Sequence, residues 1–252
     1  MKNIRILMFA SVAVLAFANS CKKDDTPDTS KYTIYTTGQY RGVDGYVSCY
    51  WKNSERVDVP DLAPNYFDRR EIFVSNGVVY LAGARSSGGG LAPSYWKNGV
   101  RTDLDMGVYT SGSTEYIKVA NGKVYTAGNV GSRCCYWINN ERTDITDLPD
   151  GASSTYVTGL FVVGNDVYLC GHYEKSRVIQ ACFWKNGVRT DMPETPSWSS
   201  SIFVDNGKVY VAGRHDPTGS PDDYIDGYWV DGQMVKMITG GFVMLKKKWI
   251  EN

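Results

Sequence analysis

Tyr95-Trp96-Lys97-Asn98-Gly99-Val100-Arg101-Thr102-Asp103 is a phrase that the chain repeats. Phe183-Trp184-Lys185-Asn186-Gly187-Val188-Arg189-Thr190-Asp191 is nearly identical to it. Tyr50-Trp51-Lys52-Asn53-Ser54-Glu55-Arg56-Val57-Asp58 and Tyr136-Trp137-Ile138-Asn139-Asn140-Glu141-Arg142-Thr143-Asp144 are looser copies, and Tyr228-Trp229-Val230-Asp231-Gly232-Gln233 is a decayed fifth. The tryptophans at 51, 96, 137, 184 and 229 are spaced by 45, 41, 47 and 45 residues. A second phrase precedes the first in each period, as in Asn76-Gly77-Val78-Val79-Tyr80-Leu81-Ala82-Gly83 and Asn121-Gly122-Lys123-Val124-Tyr125-Thr126-Ala127-Gly128. It returns as Asn206-Gly207-Lys208-Val209-Tyr210-Val211-Ala212-Gly213, and with its turn inverted at Gly164-Asn165.

Asn-Gly between β-branched and aromatic runs is a hairpin signal, because a type I′ turn needs positive φ at both central residues. Each period therefore holds two hairpins, strands a–b and strands c–d. Four-stranded units recurring every 40–50 residues or so are the mark of a β-propeller blade. The expectation is an all-β protein, a five-bladed β-propeller of four-stranded antiparallel blades spanning 33–252. A two-residue turn at Asn98-Gly99 sets Trp96 opposite Arg101 and Ser94 opposite Asp103, all on one face. The arginine is expected to lie on the indole. The set reads either as packing between blades or as a repeated ligand site.

Residues 1–21 read as a leader. Lys2 and Arg5 precede an apolar run from Ile6 to Ala18, too short to span a bilayer, and Ser20-Cys21 closes it. This resembles a bacterial lipobox, which implies a lipid on Cys21 and a membrane as partner. Cys21-Lys22-Lys23-Asp24-Asp25 resembles the surface-export signal of Bacteroidota-type lipoproteins, which implies a cell-envelope, outer-membrane address exposed at the surface. Residues 22–32 read as a flexible tether. Loss of the leader removes Lys2 and Arg5 and leaves 25 basic against 27 acidic residues. Such a balance, without a basic stripe, argues against nucleic acid.

Cys49, Cys135 and Cys182 stand two residues before a repeat tryptophan, and Cys170 replaces a strand-b alanine. They read as small buried hydrophobes or, for Cys170 and Cys182, as a bridge between strands b and c. No zinc spacing is present, and neither a metal nor another cofactor is expected. Residues 33–58 supply strands b, c and d but no strand a. Phe242 to Ile250 could be the borrowed strand that closes the ring.

The tight turns occupy one end of each blade. The other end carries the b–c connections, read as loops near 39–48, 84–94, 129–134, 172–181 and 214–227, and the d–a connections. His172, Tyr173, Arg214 and His215 emerge there from two adjacent blades and are expected, with Trp198, to form a ligand site. Exposed aromatics beside arginine and aspartate suit sugar rings. Glu71 and Glu115 open strand a, which lines the channel. A glycosidase needs two carboxyl groups at a set separation, but no motif singles out such a pair or any other catalytic residue. Asp216, Asp222, Asp223 and Asp226 make an acidic loop without EF-hand spacing.

The Tyr-Trp-Lys-Asn-Gly phrase lacks the Gly-His and Trp-Asp of WD40 blades and the Gly-Gly of kelch. It resembles propeller lipoproteins of Bacteroidota-type cells, a group that brings no established activity to carry over. The expected function is a monomeric, surface-tethered, non-enzymatic binding or scaffold domain with a glycan or protein ligand. A glycoside-active enzyme with carboxylates at the channel mouth is the alternative.

Overall fold

The computed structural model describes residues 32–63, 70–220 and 223–237. The leader with Cys21, most of the tether, and the closing segment Phe242 to Ile250 lie outside them, as do Tyr66, Phe67, Arg69 and Asp222. Five antiparallel sheets follow one another along the chain, each ordered as its strands occur in sequence. The first holds β1 (Tyr35–Arg41), β2 (Tyr46–Lys52) and β3 (Glu55–Asp58). The second holds β4 (Ile72–Ser75), β5 (Val78–Ser87), β6 (Gly90–Lys97) and β7 (Val100–Asp103). The third holds β8 (Gly112–Ala120), β9 (Lys123–Val130), β10 (Arg133–Ile138) and β11 (Glu141–Asp144). The fourth holds β12 (Ala152–Val163), β13 (Asp166–Lys175), β14 (Val178–Lys185) and β15 (Val188–Asp191). The fifth holds β16 (Ser197–Asp205), β17 (Lys208–His215), β18 (Ile225–Val230) and β19 (Gln233–Lys236). The molecule is a five-bladed β-propeller, and its first blade has three strands among the described residues.

The turns form as their chemistry dictates. Asn98 and Gly99 have φ of 47° and 80°, and Asn186 and Gly187 have 51° and 86°. The inverted turn has positive φ at Gly164 alone, as type II′ requires. The c–d asparagine has a second task. Asn98 Oδ1 accepts the Val79 amide at 2.9 Å, and Asn186 Oδ1 accepts the Val167 amide at 2.8 Å. Asn53 and Asn139 do the same for Ile34 and Val124. One side chain thus permits the left-handed turn and ties the second hairpin to the first.

At the opposite end the expectation of long b–c loops is corrected. Strands β5 and β6 run on to a tight connection at Gly88-Gly89, β9 and β10 to Gly131-Ser132, and β13 and β14 to Ser176-Arg177. Backbone pairing continues after the side chains turn polar, as at Ser86↔Leu91 and Glu174↔Ile179. Ladder hydrogen bonds need no apolar side chain, so composition underestimated strand length. The first and fifth blades keep longer connections, at 42–45 and 216–224.

The cores lie between blades. Leu81 and Trp96 of the second blade pack with Tyr50 and Val59 of the first; Trp184 and Leu169 of the fourth pack with Tyr125 and Cys134 of the third. Trp96, Trp137, Trp184 and Trp229 are each buried to within 1%. Each indole N–H reaches back to the connection that leaves the preceding blade. Trp96 Nε1 donates to Pro60 O at 3.0 Å, Trp137 to Asp105 O at 2.8 Å and Trp184 to Asp147 O at 3.2 Å. Trp229 donates to the Glu194 carboxylate. The strand-b glycine makes room for the ring: a Cβ on Gly171 would stand 2.9 Å from Trp184 Cζ3 and 2.0 Å from Tyr156 O. Hydroxyls on strand a tie the blades again. Thr114 Oγ1 donates toward Ser94 O and accepts the Gly83 amide, both at 2.8 Å, and Ser199 Oγ donates to Gly171 O at 2.7 Å.

The strand-d arginine does not lie on the repeat tryptophan. Its Nε meets the aspartate two residues on, at 2.9 Å for Arg101–Asp103, Arg142–Asp144 and Arg189–Asp191. Its guanidinium covers a tyrosine instead in three blades, with Arg56 over Tyr40 at 3.8 Å, Arg142 over Tyr109 at 5.6 Å and Arg189 over Tyr173 at 5.3 Å. The Trp–Arg–Asp set is therefore blade-to-blade structure. Truncating Trp96 or Trp184 to alanine removes a buried ring and its hydrogen bond together. Either change is expected to lower stability by about 3–5 kcal/mol in urea unfolding; a loss below about 1 kcal/mol contradicts this assignment.

Candidate functional site

The strand-b glycine fixes the register at the end opposite the Asn-Gly turns. One residue beyond it stand His172 in the fourth blade and Arg214 in the fifth. Strand a sets Tyr156 opposite His172 and Trp198 opposite Arg214. Each opposed pair is in contact: the Tyr156 and His172 rings are 5.3 Å apart and tilted by 30°, and the Arg214 guanidinium lies 5.5 Å from the Trp198 ring. Two neighbouring blades thus carry an aromatic ring beside a nitrogen-bearing side chain at equivalent places. In the third blade the same positions are Ser113 and Asn129, and Asn129 spends its amide on Thr155 O at 2.7 Å.

The longer β17–β18 connection adds Tyr224 to the fifth-blade pair. Arg214 lies 4.1 Å from the Tyr224 ring, and Tyr224 meets Trp198 edge-on at 5.7 Å and 78°. The guanidinium is thereby held against two rings. The connection itself is braced from within. Asp216, 7% exposed, accepts the Thr218 and Gly219 amides, and Thr218 Oγ1 donates to Asp223 at 2.8 Å. Tyr156 is 51% exposed, while Trp198, Arg214, Tyr224 and His172 are half-buried. The arrangement offers ring faces and N–H donors together at an open rim.

The five residues expected to share one pocket do not all do so. Tyr173 and His215 each follow a rim residue directly along an unbroken ladder, so they point to the opposite face of the sheet. Tyr173 is buried, and its hydroxyl donates to Asp191 at 3.3 Å. Burial and the Asp191 charge push it up to about 12. Tyr40 and Arg85 occupy the same register and bond Asp58 and Asp103 in the same way. Tyr173 is thus a stitch within its blade. His215 sits in that register in the fifth blade, where Lys236 replaces the strand-d aspartate. The structure therefore unites His172 with Tyr156, and Trp198 with Arg214 and Tyr224. Sequence reasoning did not include Tyr156 or Tyr224 in the site; the alternation rule applied to Gly171-His172-Tyr173 was the signal that separates His172 from Tyr173.

Other candidates are committed elsewhere. The Glu71 carboxylate pairs with Lys118 and accepts the Ile117 amide at 3.0 Å, clamping the second blade to the third. Among the described residues no group of three or more His, Cys, Asp or Glu is placed to hold a metal ion. Cys49, Cys134, Cys135, Cys170 and Cys182 are buried free thiols. Cys170 opposes Phe183 and Cys182 opposes Gly171, which puts the two sulfurs on opposite faces of the blade and rules out the bridge. Burial pushes the Cys170 thiol up to about 12 and the Cys134 thiol to about 11, so both are unreactive. A cavity of about 290 Å³ between the first two blades is lined by Asp61, Arg85 and Arg101, but its cations are already paired with Asp61 and Asp103.

No family model and no curated protein matches the chain. Solved structures resemble it in architecture. An endo-1,4-beta-xylanase from Bacteroides thetaiotaomicron VPI-5482 is 13% identical at a TM-score of 0.42, over 72% of this chain and 74% of that one. An endo-arabinase from the same organism is 12% identical at 0.38, over 85% and 93%. Drosophila Semaphorin 1a is 10% identical at 0.45, over 83% and 57%. Likenesses of this size say nothing about residues or chemistry.

Proposed function

We propose that this propeller is a non-enzymatic binding domain that takes a glycan at the rim of its fourth and fifth blades. The observation that carries the reading is the pairing of Tyr156 with His172 and of Trp198 with Arg214 at one register on adjacent blades. Sugar rings have an apolar face that stacks on aromatics and an edge of hydroxyls that needs donors. Tyr and Trp supply that area with few rotors to freeze. The commitment of Glu71 to Lys118 favours binding over hydrolysis, since a carboxylate spent on a clamp is not free to move a proton. A lipid on Cys21 holds the domain at the outer membrane, and the 22–32 tether lets the rim face outward.

A glycan array probed with residues 22–252 tests the binding. Tyr156→Ala and Trp198→Ala are each expected to weaken a bound glycan about tenfold, or about 1.4 kcal/mol, with stability changed by about 1 kcal/mol or less. Absence of any bound glycan, or full affinity in both variants, contradicts the reading. The anchor is tested separately: Cys21→Ala is expected to move the full-length protein from the membrane to the soluble fraction, and persistent membrane association contradicts the lipid.

A further inference from the structure

We infer that the glycan is acidic, and that Arg214 reads a carboxylate on it. This rests on the rim being the glycan site and adds the charge of the ligand. Three features of Arg214 lead there. First, its partners among the described residues are ring faces: the guanidinium lies 4.1 Å from Tyr224 and 5.5 Å from Trp198. A ring engages the flat face of a guanidinium and leaves its edge, where all five N–H donors lie, for in-plane acceptors. Second, it differs from the strand-d arginines. Arg56, Arg101, Arg142 and Arg189 each meet an aspartate two residues along, at 2.9 or 3.0 Å. Those cations are consumed in holding blades, whereas Arg214 is placed by rings and sits at the rim.

Third, the fifth blade departs from the repeat where a charge pair would be expected. Met234 stands opposite Trp229 where other blades carry arginine, and Lys236 stands where they carry aspartate. The strand-d carboxylate that binds Tyr40, Arg85 and Tyr173 in three other blades is thus replaced by a cation beside His215. Lys236 shares the His215 face and Asp226 stands opposite Arg214 on strand c, so what this blade lacks is only the strand-d carboxylate that its neighbours carry. A planar carboxylate can meet a guanidinium edge through two parallel N–H···O bonds. Trp198, beside Arg214, then stacks the ring that bears it. A uronic-acid residue fits this geometry.

The test uses residues 22–252 and oligosaccharides in matched pairs, with trigalacturonate against its methyl ester, a sialylated against an asialo glycan, and a sulfated against a desulfated one. Binding is read by calorimetry at two salt concentrations. The expected result is a carboxylate-bearing member bound at least about tenfold more tightly than its neutral counterpart, as a charge-assisted pair gives. That preference weakens with salt. It is lost in Arg214→Met and not restored in Arg214→Lys, whose ammonium lacks the fork. Trp198→Ala weakens both members of a pair. Equal affinity within every pair, with Trp198→Ala still weakening binding, overturns the acidic ligand and leaves the glycan reading standing. Preference for sulfate alone, or a carboxylate preference that Arg214→Met retains, overturns the role given to Arg214. Binding of no member overturns both readings.

Discussion

An indole N–H in the third strand of one blade, donating to the connection that leaves the blade before it, is the contact on which this propeller depends. A four-stranded sheet has two faces to bury and cannot do so alone. In the second to fifth blades one tryptophan per blade solves this. Its ring fills the space over the strand-b glycine, and its single donor is satisfied by Pro60, Asp105, Asp147 or Glu194 of the preceding connection. Burying an indole without a partner for that donor costs on the order of 1–3 kcal/mol. The hydrogen bond therefore sets the position of the connection as well as the packing of the ring. Glycine follows from the same constraint, since a Cβ at Gly171 or Gly213 would press on the ring and on the strand-a carbonyl.

The fixed parts of the repeat explain the variable ones. Asn98 and Asn186 serve a turn and an amide at once, so the Asn-Gly end has little freedom to differ between blades. Strand-d arginines are held by aspartates in the first four blades. On the opposite face of the sheets, at the rim end, the residues change character from blade to blade. Ser113 and Asn129 give way to Tyr156 and His172, then to Trp198 and Arg214. The fifth blade keeps Trp229 and the turn but not the Arg–Asp pair. The proposed binding chemistry uses the face of these blades that the Arg–Asp clamps do not occupy.

The fold was legible in the sequence because its determinants are local and recur: Asn-Gly turns, a tryptophan, a small residue before glycine. The lengths of β5 and β13 were not, because their last pairs, such as Ser86↔Leu91, rest on backbone bonds that composition does not reveal. The site was half legible. Arg214 and His172 lie at the end of the blades that the course of strand b implies, with Trp198 on strand a opposite Arg214. Tyr173 was misplaced because its neighbour in sequence faces the rim while it faces Asp191. Tyr224 could not be assigned, for its contact with Arg214 depends on the course of an irregular connection. The stacking of arginine on tyrosine rather than tryptophan was equally hidden, because the ring it covers comes from another strand or from the preceding blade's connection.

Hydrogen exchange at the indole nitrogens tests the central claim most directly. Trp96, Trp137, Trp184 and Trp229 carry buried, bonded N–H groups on four different blades. In a nitrogen-15 spectrum of the domain in D2O, their four indole signals are predicted to outlast that of the half-buried Trp198. They are predicted to decay together, at the rate set by global unfolding. Loss of these four signals as fast as that of Trp198 would contradict the account, because the indoles would then not be holding the blades together.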